Sequence, residues 1–252
     1  MELLITLATL FVLGSVFGYV LEVFFRRFVS QHKWMNPGFM VGPYLPIYGF
    51  GVLLMYVTCR LTELLNLSTP LTYVFEILFI TIIMTIVELI AGLIFIKGMG
   101  IKLWDYSDRW GNFKGIICPL FTLLWGICGV GYIFLVDPFL VKLILGLSEH
   151  IIYCFFVGIV IGAIIVDFAY SIHLGIKVST MVKSSKVVVK YEEFKSYIKN
   201  RYQEENNGDK KGFLTSLSFI KSKDEVKEII HDFTQKLPKV KKWWKKDKKI
   251  EE

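Results

Sequence analysis

The sequence predicts an all-α fold: a polytopic bundle of about five membrane-spanning helices, residues 1–176, followed by a basic, partly helical tail, residues 177–252. Three observations predict it. The 252-residue chain is 54% hydrophobic and 20% charged, and its apolar residues fall in uninterrupted runs near membrane-spanning length, which a soluble domain does not bury. Charge is concentrated at one end: Lys177 to Glu252 holds 20 Lys and Arg against 12 Asp and Glu, a net +8, while the first 176 residues hold 9 against 10, a net −1. Of the nine Lys and Arg in the first 176 residues, seven fall in alternate loops, as the positive-inside rule requires, and the other loops hold only Arg60 and Lys142.

The N-terminal run MELLITLATLFVLGS lacks the basic flank of a cleavable signal, so it reads as the start of the first span, Leu3 to Phe25, with Arg26 and Arg27 behind it. The second span is Tyr44 to Cys59, closed by Arg60. The third is Leu71 to Ile96, the fourth Gly115 to Val136 and the fifth Ile151 to Ile172. Asp137-Pro138 stops the fourth, and Phe139 to Leu147 is too short to span, which leaves an interfacial turn or part of a long hairpin there, or a sixth span if it is a half-helix. The loops after the first and third spans carry Arg26, Arg27 and Lys33, then Lys97, Lys102, Arg109 and Lys114. These loops and the tail are therefore expected in the cytoplasm and the N-terminus outside.

Between the first two spans lies Asn36 to Gly51, NPGFMVGPYLPIYGFG, with three prolines, four glycines and two tyrosines. Proline removes a backbone donor, and such a backbone is tolerated at membrane depth only under protein cover or beside water. The segment reads as a loop that bends back towards the bilayer, or as a tight connection with a proline-rich helix start. A parallel echo links it to a later stretch. Glu22, Asn36-Pro-Gly38, Pro43 and Gly49 are answered by Glu88, Asn112-Phe-Lys-Gly115, Pro119 and Gly126.

Acidic residues inside the apolar runs are the candidate site. Gly14, Gly18 and Glu22 share a helix face; so do Thr81, Thr85, Glu88 and Gly92, and Ala163, Asp167 and Ser171. Small residues at this spacing mark close helix packing, so each carboxylate points into the bundle. A carboxylate there costs about 2.5 kcal/mol or more unless paired, protonated or hydrated. Glu22 has Arg26 one turn on, and Asp167 lies towards a helix end near His173 and Lys177. Glu88 has no basic residue within a turn. Glu76, near the other end of the third span, reads as interfacial. Glu22, Glu88 and Asp167 are expected to line an inward-facing cavity, with Tyr48, Asn36, Asn112 and Asp105 near them, and to exchange a proton for a cation or amine. The loop KLWDYSDRWGNFK places Trp104, Tyr106 and Trp110 at headgroup level.

Cys59, Cys118, Cys128 and Cys154 lie in or beside apolar runs without CxxC or histidine at ligand spacing, so neither a metal nor a cofactor is expected. In the tail, Ser185 to Asn200 and Lys223 to Gln235 have helical spacing. Lys241, Lys242, Trp243, Trp244, Lys245 and Lys246 suit anionic lipid headgroups, and no nucleic acid is expected. A second copy of the chain is a candidate partner on size alone. Two other function classes fit the sequence: a membrane-embedded enzyme acting on a lipid, and a non-catalytic scaffold or sensor. The chain shows no HExxH and no nucleophile elbow for the former.

Glu22, Asn36-Pro-Gly-Phe, Gly42-Pro-Tyr-Leu-Pro-Ile-Tyr-Gly49, Glu88, Leu103-Trp-Asp-Tyr-Ser107, Asn112, Gly115, Cys118 and Trp125-Gly126 resemble the ABC-transporter permeases of the CmpB type, over roughly residues 5 to 135. The resemblance implies a multi-pass protein of the bacterial cell membrane, a transport role, and a separate ATPase subunit. The chain has no GxxxxGK[ST] phosphate loop and is not that ATPase.

Overall fold

The computed structural model describes residues 2–30, 32, 34, 36–148, 151–184, 189–205, 228–229 and 232–233. The helices are α1 (Glu2–Phe25), α2 (Pro46–Glu63), α3 (Thr69–Met99), α4 (Pro119–Gly131), α5 (Asp137–Ser148), α6 (Ile151–Ser184) and α7 (Tyr191–Glu205). Among the described residues there are also two short strands, β1 (Ile101–Lys102) and β2 (Val189–Lys190), and two π turns, Arg26–Ser30 and Tyr132–Val136. Among the described residues, four helical stretches are long and apolar enough to cross a membrane: Leu3–Val29, Thr69–Met99, Pro119–Leu140 and Ile152–His173. The expected second span, α2, is not among them. Its 18 residues rise about 27 Å, short of a bilayer core, and include Arg60 and Glu63.

Helix ends differ from the sequence reading for local reasons. Pro46 and Pro119 each occupy the first turn of their helix, and the preceding Leu45 and Cys118 are extended, as a residue before proline prefers. So α2 and α4 start later than Tyr44 and Gly115. Helix α4 does not stop at Asp137-Pro138. A π turn, Tyr132–Val136, carries it into α5, with the Asp137 N–H bonded to the Tyr132 carbonyl. The wider turn accommodates a proline that lacks a donor.

The chain divides into two compact units. The first comprises Met1–Ala91 and Tyr106–Ser171. Its tightest seam joins α1 to α2. A Cβ on Gly14 would meet Val52 at 2.9 Å, one on Gly18 would overlap Tyr48, and one on Gly49 would overlap Ser15. The stripe of small residues read on the first span is therefore the face that receives α2. Similarly, Thr81 on α3 faces Gly126 on α4, Ile80 faces Gly129, and the Thr85 hydroxyl donates to Thr122 at 3.3 Å. Met55, Cys59, Ile80, Met84, Tyr132 and Ile133 form the buried core between α2, α3 and the π turn. On α6 the third stripe is only partly enclosed: Ser171 is buried but Ala163 is exposed, and Gly158 and Gly162 have nothing within 4 Å of a Cβ.

The second unit comprises Gly92–Asp105 and Ile172–Glu252. Strands β1 and β2 pair in parallel, Ile101 opposite Val189 and Lys102 opposite Lys190. Ile101, Tyr191, Phe194, Ile198 and Tyr202 are buried with Ile229 and Phe233, and the Phe194 and Phe233 rings meet edge to face at 5.5 Å. Part of the basic tail therefore folds around the segment that follows α3. The helix expected from Ser185 begins at Tyr191, because Val189 and Lys190 are committed to the strand. The lysine and tryptophan cluster from Lys241 to Lys246 lies outside the described residues.

Candidate functional site

Each of the three carboxylates is held in a different way. Glu22 stands one turn before the end of α1. Its Oε1 accepts from Arg26 Nε at 2.9 Å and its Oε2 from the Tyr48 hydroxyl at 2.8 Å. Tyr48 lies on the first turn of α2, and its ring rests against the bare backbone of Gly18.

Glu88, on α3, is 6% exposed. Its Oε1 accepts from the Tyr106 hydroxyl at 3.0 Å and its Oε2 from Trp125 Nε1 at 3.0 Å. No Lys, Arg or His pairs with it among the described residues. Tyr106 reaches it from the loop before α4, where its ring stacks on Phe121 at 4.1 Å and its N–H donates to the Gly115 carbonyl at 2.9 Å. Burial first, and then the Glu88 charge, push the Tyr106 hydroxyl well above the ordinary tyrosine value; Tyr48 and Glu22 lie near enough to add to that shift. The Tyr48 and Trp125 rings are 6.4 Å apart, so Glu22 and Glu88 hang on neighbouring aromatic rings.

Asp167, on α6, reaches the Gly/Pro segment. Its Oδ1 accepts from the Val41 N–H at 3.2 Å and the Ser171 hydroxyl at 3.0 Å. Its Oδ2 accepts from the Gly42 N–H and the Tyr44 hydroxyl, both at 2.7 Å. Burial, followed by the bond and charge of Asp167, pushes the Tyr44 hydroxyl up to about 12. Next to Tyr44, the Leu45 N–H donates to the Ser15 carbonyl at 2.9 Å. Ser15 lies roughly ten residues, about 15 Å by the helical rise, inside the end of α1. The segment thus bends back along α1, with Pro37, Met40 and Leu45 buried and Asn36, Val41 and Pro43 exposed.

The donor types separate the three acids. An indole or amide N–H only donates, whereas a hydroxyl donates or accepts. Asp167 has an N–H on each oxygen, so this shell serves a carboxylate. Glu22 has a guanidinium beside it. Glu88 has one obligate donor, on Oε2, and one hydroxyl, on Oε1. A proton placed on Oε1 is accepted by Tyr106 without disturbing Trp125.

The remaining residues read from the sequence have structural partners. Asn36 Nδ2 donates to the Val41 carbonyl at 3.1 Å. Asn112 ties its own loop, donating to the Ser107 and Arg109 carbonyls at 3.1 and 2.8 Å and accepting from the Gly115 N–H at 3.1 Å. Asp105 belongs to the second unit, where it pairs with Lys102 at 3.0 Å and Lys190 at 3.3 Å. Glu76, expected at an interface, is 4% exposed and accepts from the Thr62 hydroxyl at 2.9 Å. The echo between the two hairpins extends to the site. In each, a proline opens the second helix, a glycine takes positive φ (Gly38 at 92°, Gly115 at 67°) and a tyrosine hydroxyl meets the acid of the first helix.

Sequence reasoning missed Trp125 and Tyr106 as partners of Glu88, and a second polar cluster at the far end of α2. There Arg60 pairs with Asp137 at 2.5 Å and Glu63 at 2.9 Å, lies over the Tyr56 ring, and leaves its buried Nε without an acceptor. The Tyr132 hydroxyl donates to Asp137 at 3.2 Å. The available signal was an Arg and an Asp, each at the end of an apolar run.

No curated protein and no solved structure matches the chain. A family model described as putative ABC-transporter type IV, of the CmpB kind, matches residues 9–172, more than half of the chain. That span contains Glu22, Tyr44, Tyr48, Glu88, Tyr106, Trp125 and Asp167, and the chain belongs to this family.

Proposed function

We propose that the chain is a permease- or channel-like membrane protein whose inward-facing site for a cation or amine centres on Glu88. One observation carries this reading: a buried carboxylate on a membrane-length helix, bound by two neutral donors and by no cation among the described residues. An unpaired charge at that depth is costly, and a proton or an incoming cation removes the cost. Tyr106 serves both states of Oε1. Glu22 and Tyr48 form the neighbouring wall, and Asp167 fixes the segment that carries Tyr48 into place. With α2 packed back along α1 as a short return passage, the loop charges support a cytoplasmic position for this end of the bundle and an N-terminus outside. Membership of an ABC-transporter family is compatible with a separate ATPase as partner.

The test is carbodiimide labelling of the purified protein in lipid, read by mass spectrometry across pH. Carbodiimides react with protonated, accessible carboxyl groups. Labelling of Glu88 near neutral pH, suppressed by a cation or amine and absent in Glu88→Gln, is the expected result. A Glu88 that stays unlabelled while loop acids react at low pH overturns the reading.

A further inference from the structure

The loop that supplies Tyr106 ends in a tip whose chemistry the carboxylate site does not use. Trp110 is 86% exposed, and Phe113 is also exposed. Arg109 and Lys114 flank them, both exposed, with Lys114 Nζ over the Phe113 ring at 5.6 Å. Asp108 is the tip's single acid, so Ser107 to Lys114 carries a net +1. An indole held out in water has a cost that a soluble loop avoids.

The loop is tightly built. The Tyr106 N–H bonds to the Gly115 carbonyl and the Arg109 N–H to the Tyr106 carbonyl, both at 2.9 Å, and Asn112 makes three further bonds across it. Phe113 pairs with Ile117 as an antiparallel bridge. Gly111 turns at φ 65°, and a Cβ there would stand 3.0 Å from the ring of Pro119. Pro119 is the first residue of a membrane-length stretch. Trp110, next to Gly111, is therefore held level with the start of a span, at the depth where aromatic rings and cations meet headgroups.

We propose that this tip is a contact site for anionic phospholipid headgroups, with Trp110 and Phe113 in the interfacial layer and Arg109 and Lys114 on the phosphates. Lipid bound there holds Tyr106 on Glu88, because both ends of the loop move as one hydrogen-bonded piece. The lipid contact rests on the membrane placement of Pro119–Leu140, and only the coupling rests on the function proposed for Glu88.

The test uses the full chain in nanodiscs containing bromine-labelled lipid, with phosphatidylcholine and phosphatidylglycerol labelled in turn. The difference in fluorescence quenching between wild type and Trp110→Phe isolates Trp110. The expected result is stronger quenching by the brominated phosphatidylglycerol. That preference falls about fivefold for each charge removed in Arg109→Gln and Lys114→Gln. Equal quenching by both lipids overturns the anionic site. Quenching by aqueous acrylamide but not by lipid also overturns it, and marks the tip as a surface for a soluble protein. None of these readouts needs a transported substrate, so failure of the cation reading leaves them intact. For the coupling, Glu88 labelling by carbodiimide is expected to rise several-fold in phosphatidylcholine alone; no change removes the coupling while leaving the lipid contact.

Discussion

Trp125 on α4 donates its indole N–H to Glu88 on α3 at 3.0 Å, and this bond commits one oxygen of a buried acid permanently to accepting. All freedom to take a proton is left to the oxygen that faces Tyr106. Replacing Trp125 with Phe frees the second oxygen and leaves it without a donor. The expected cost is about 1–3 kcal/mol, measured as a lower midpoint of thermal unfolding in detergent, together with altered carbodiimide labelling of Glu88. An unchanged midpoint and an unchanged labelling profile would mean that the bond holds nothing.

Tyr106→Phe separates positioning from proton acceptance. The ring still stacks on Phe121, but the hydroxyl is gone. Glu88 then has no acceptor for a proton on Oε1, so its labelling profile across pH is expected to shift while the fold survives. A profile identical to wild type would remove Tyr106 from the mechanism.

The seam between α1 and α2 should be intolerant where α6 is tolerant. Gly18→Leu drives a side chain into Tyr48 and should cost about 1–3 kcal/mol or more. Gly158→Ala, with nothing within 4 Å of its Cβ, should stay within about 1 kcal/mol of wild type. Thermal unfolding of the two variants side by side checks the contrast.

Tyr44 gives a pH prediction with a definite sign. Its hydroxyl is raised from 10.0 to about 12 in the folded protein. The stability this represents is fully present below the unfolded value and is lost as pH rises from about 10 to about 12. The tyrosinate absorbance difference between wild type and Tyr44→Phe should therefore show a group titrating at about 12, moved towards the ordinary value in Asp167→Asn. Early titration in wild type would contradict the clamp.

Breaking the far cluster should cost more singly than doubly. Asp137→Asn leaves Arg60 with Glu63 alone and with an Nε already short of an acceptor. The pair is partly exposed, so the expected loss is about 1–2 kcal/mol. Combining it with Arg60→Met should recover part of that loss in thermal unfolding. Additive losses would show that the two residues do not act together.

The architecture was legible because membrane helices announce themselves by length and apolarity, and because small residues at intervals of four mark helix seams. Gly14, Gly18 and Thr81 lie on such seams. The acids were legible because a charge in an apolar run is costly wherever it sits. Their partners were not. Tyr44 and Tyr48 lie four residues apart in one string, yet one hydroxyl goes to α6 and the other to α1, a choice made by the extended backbone before Pro46. Tyr106 looked like an interfacial aromatic, because nothing in its neighbours shows that the loop folds inward. The continuation of α4 past Asp137-Pro138 was hidden because a π turn has no residue signature, while proline has a strong one.

The bond from Val41 to Asp167 joins positions 126 residues apart. During synthesis the Gly/Pro segment is made first, and at ordinary elongation rates its acid arrives on the order of 10 s later. Until then two backbone N–H groups and the Tyr44 hydroxyl lack the acceptor that serves them in the finished protein. The bundle can assemble as far as α4 and still be incomplete beside its own site. Insertion of α6 is thus the step that completes the first unit, and a chain stalled before Asp167 presents an open segment for a quality-control protease to find.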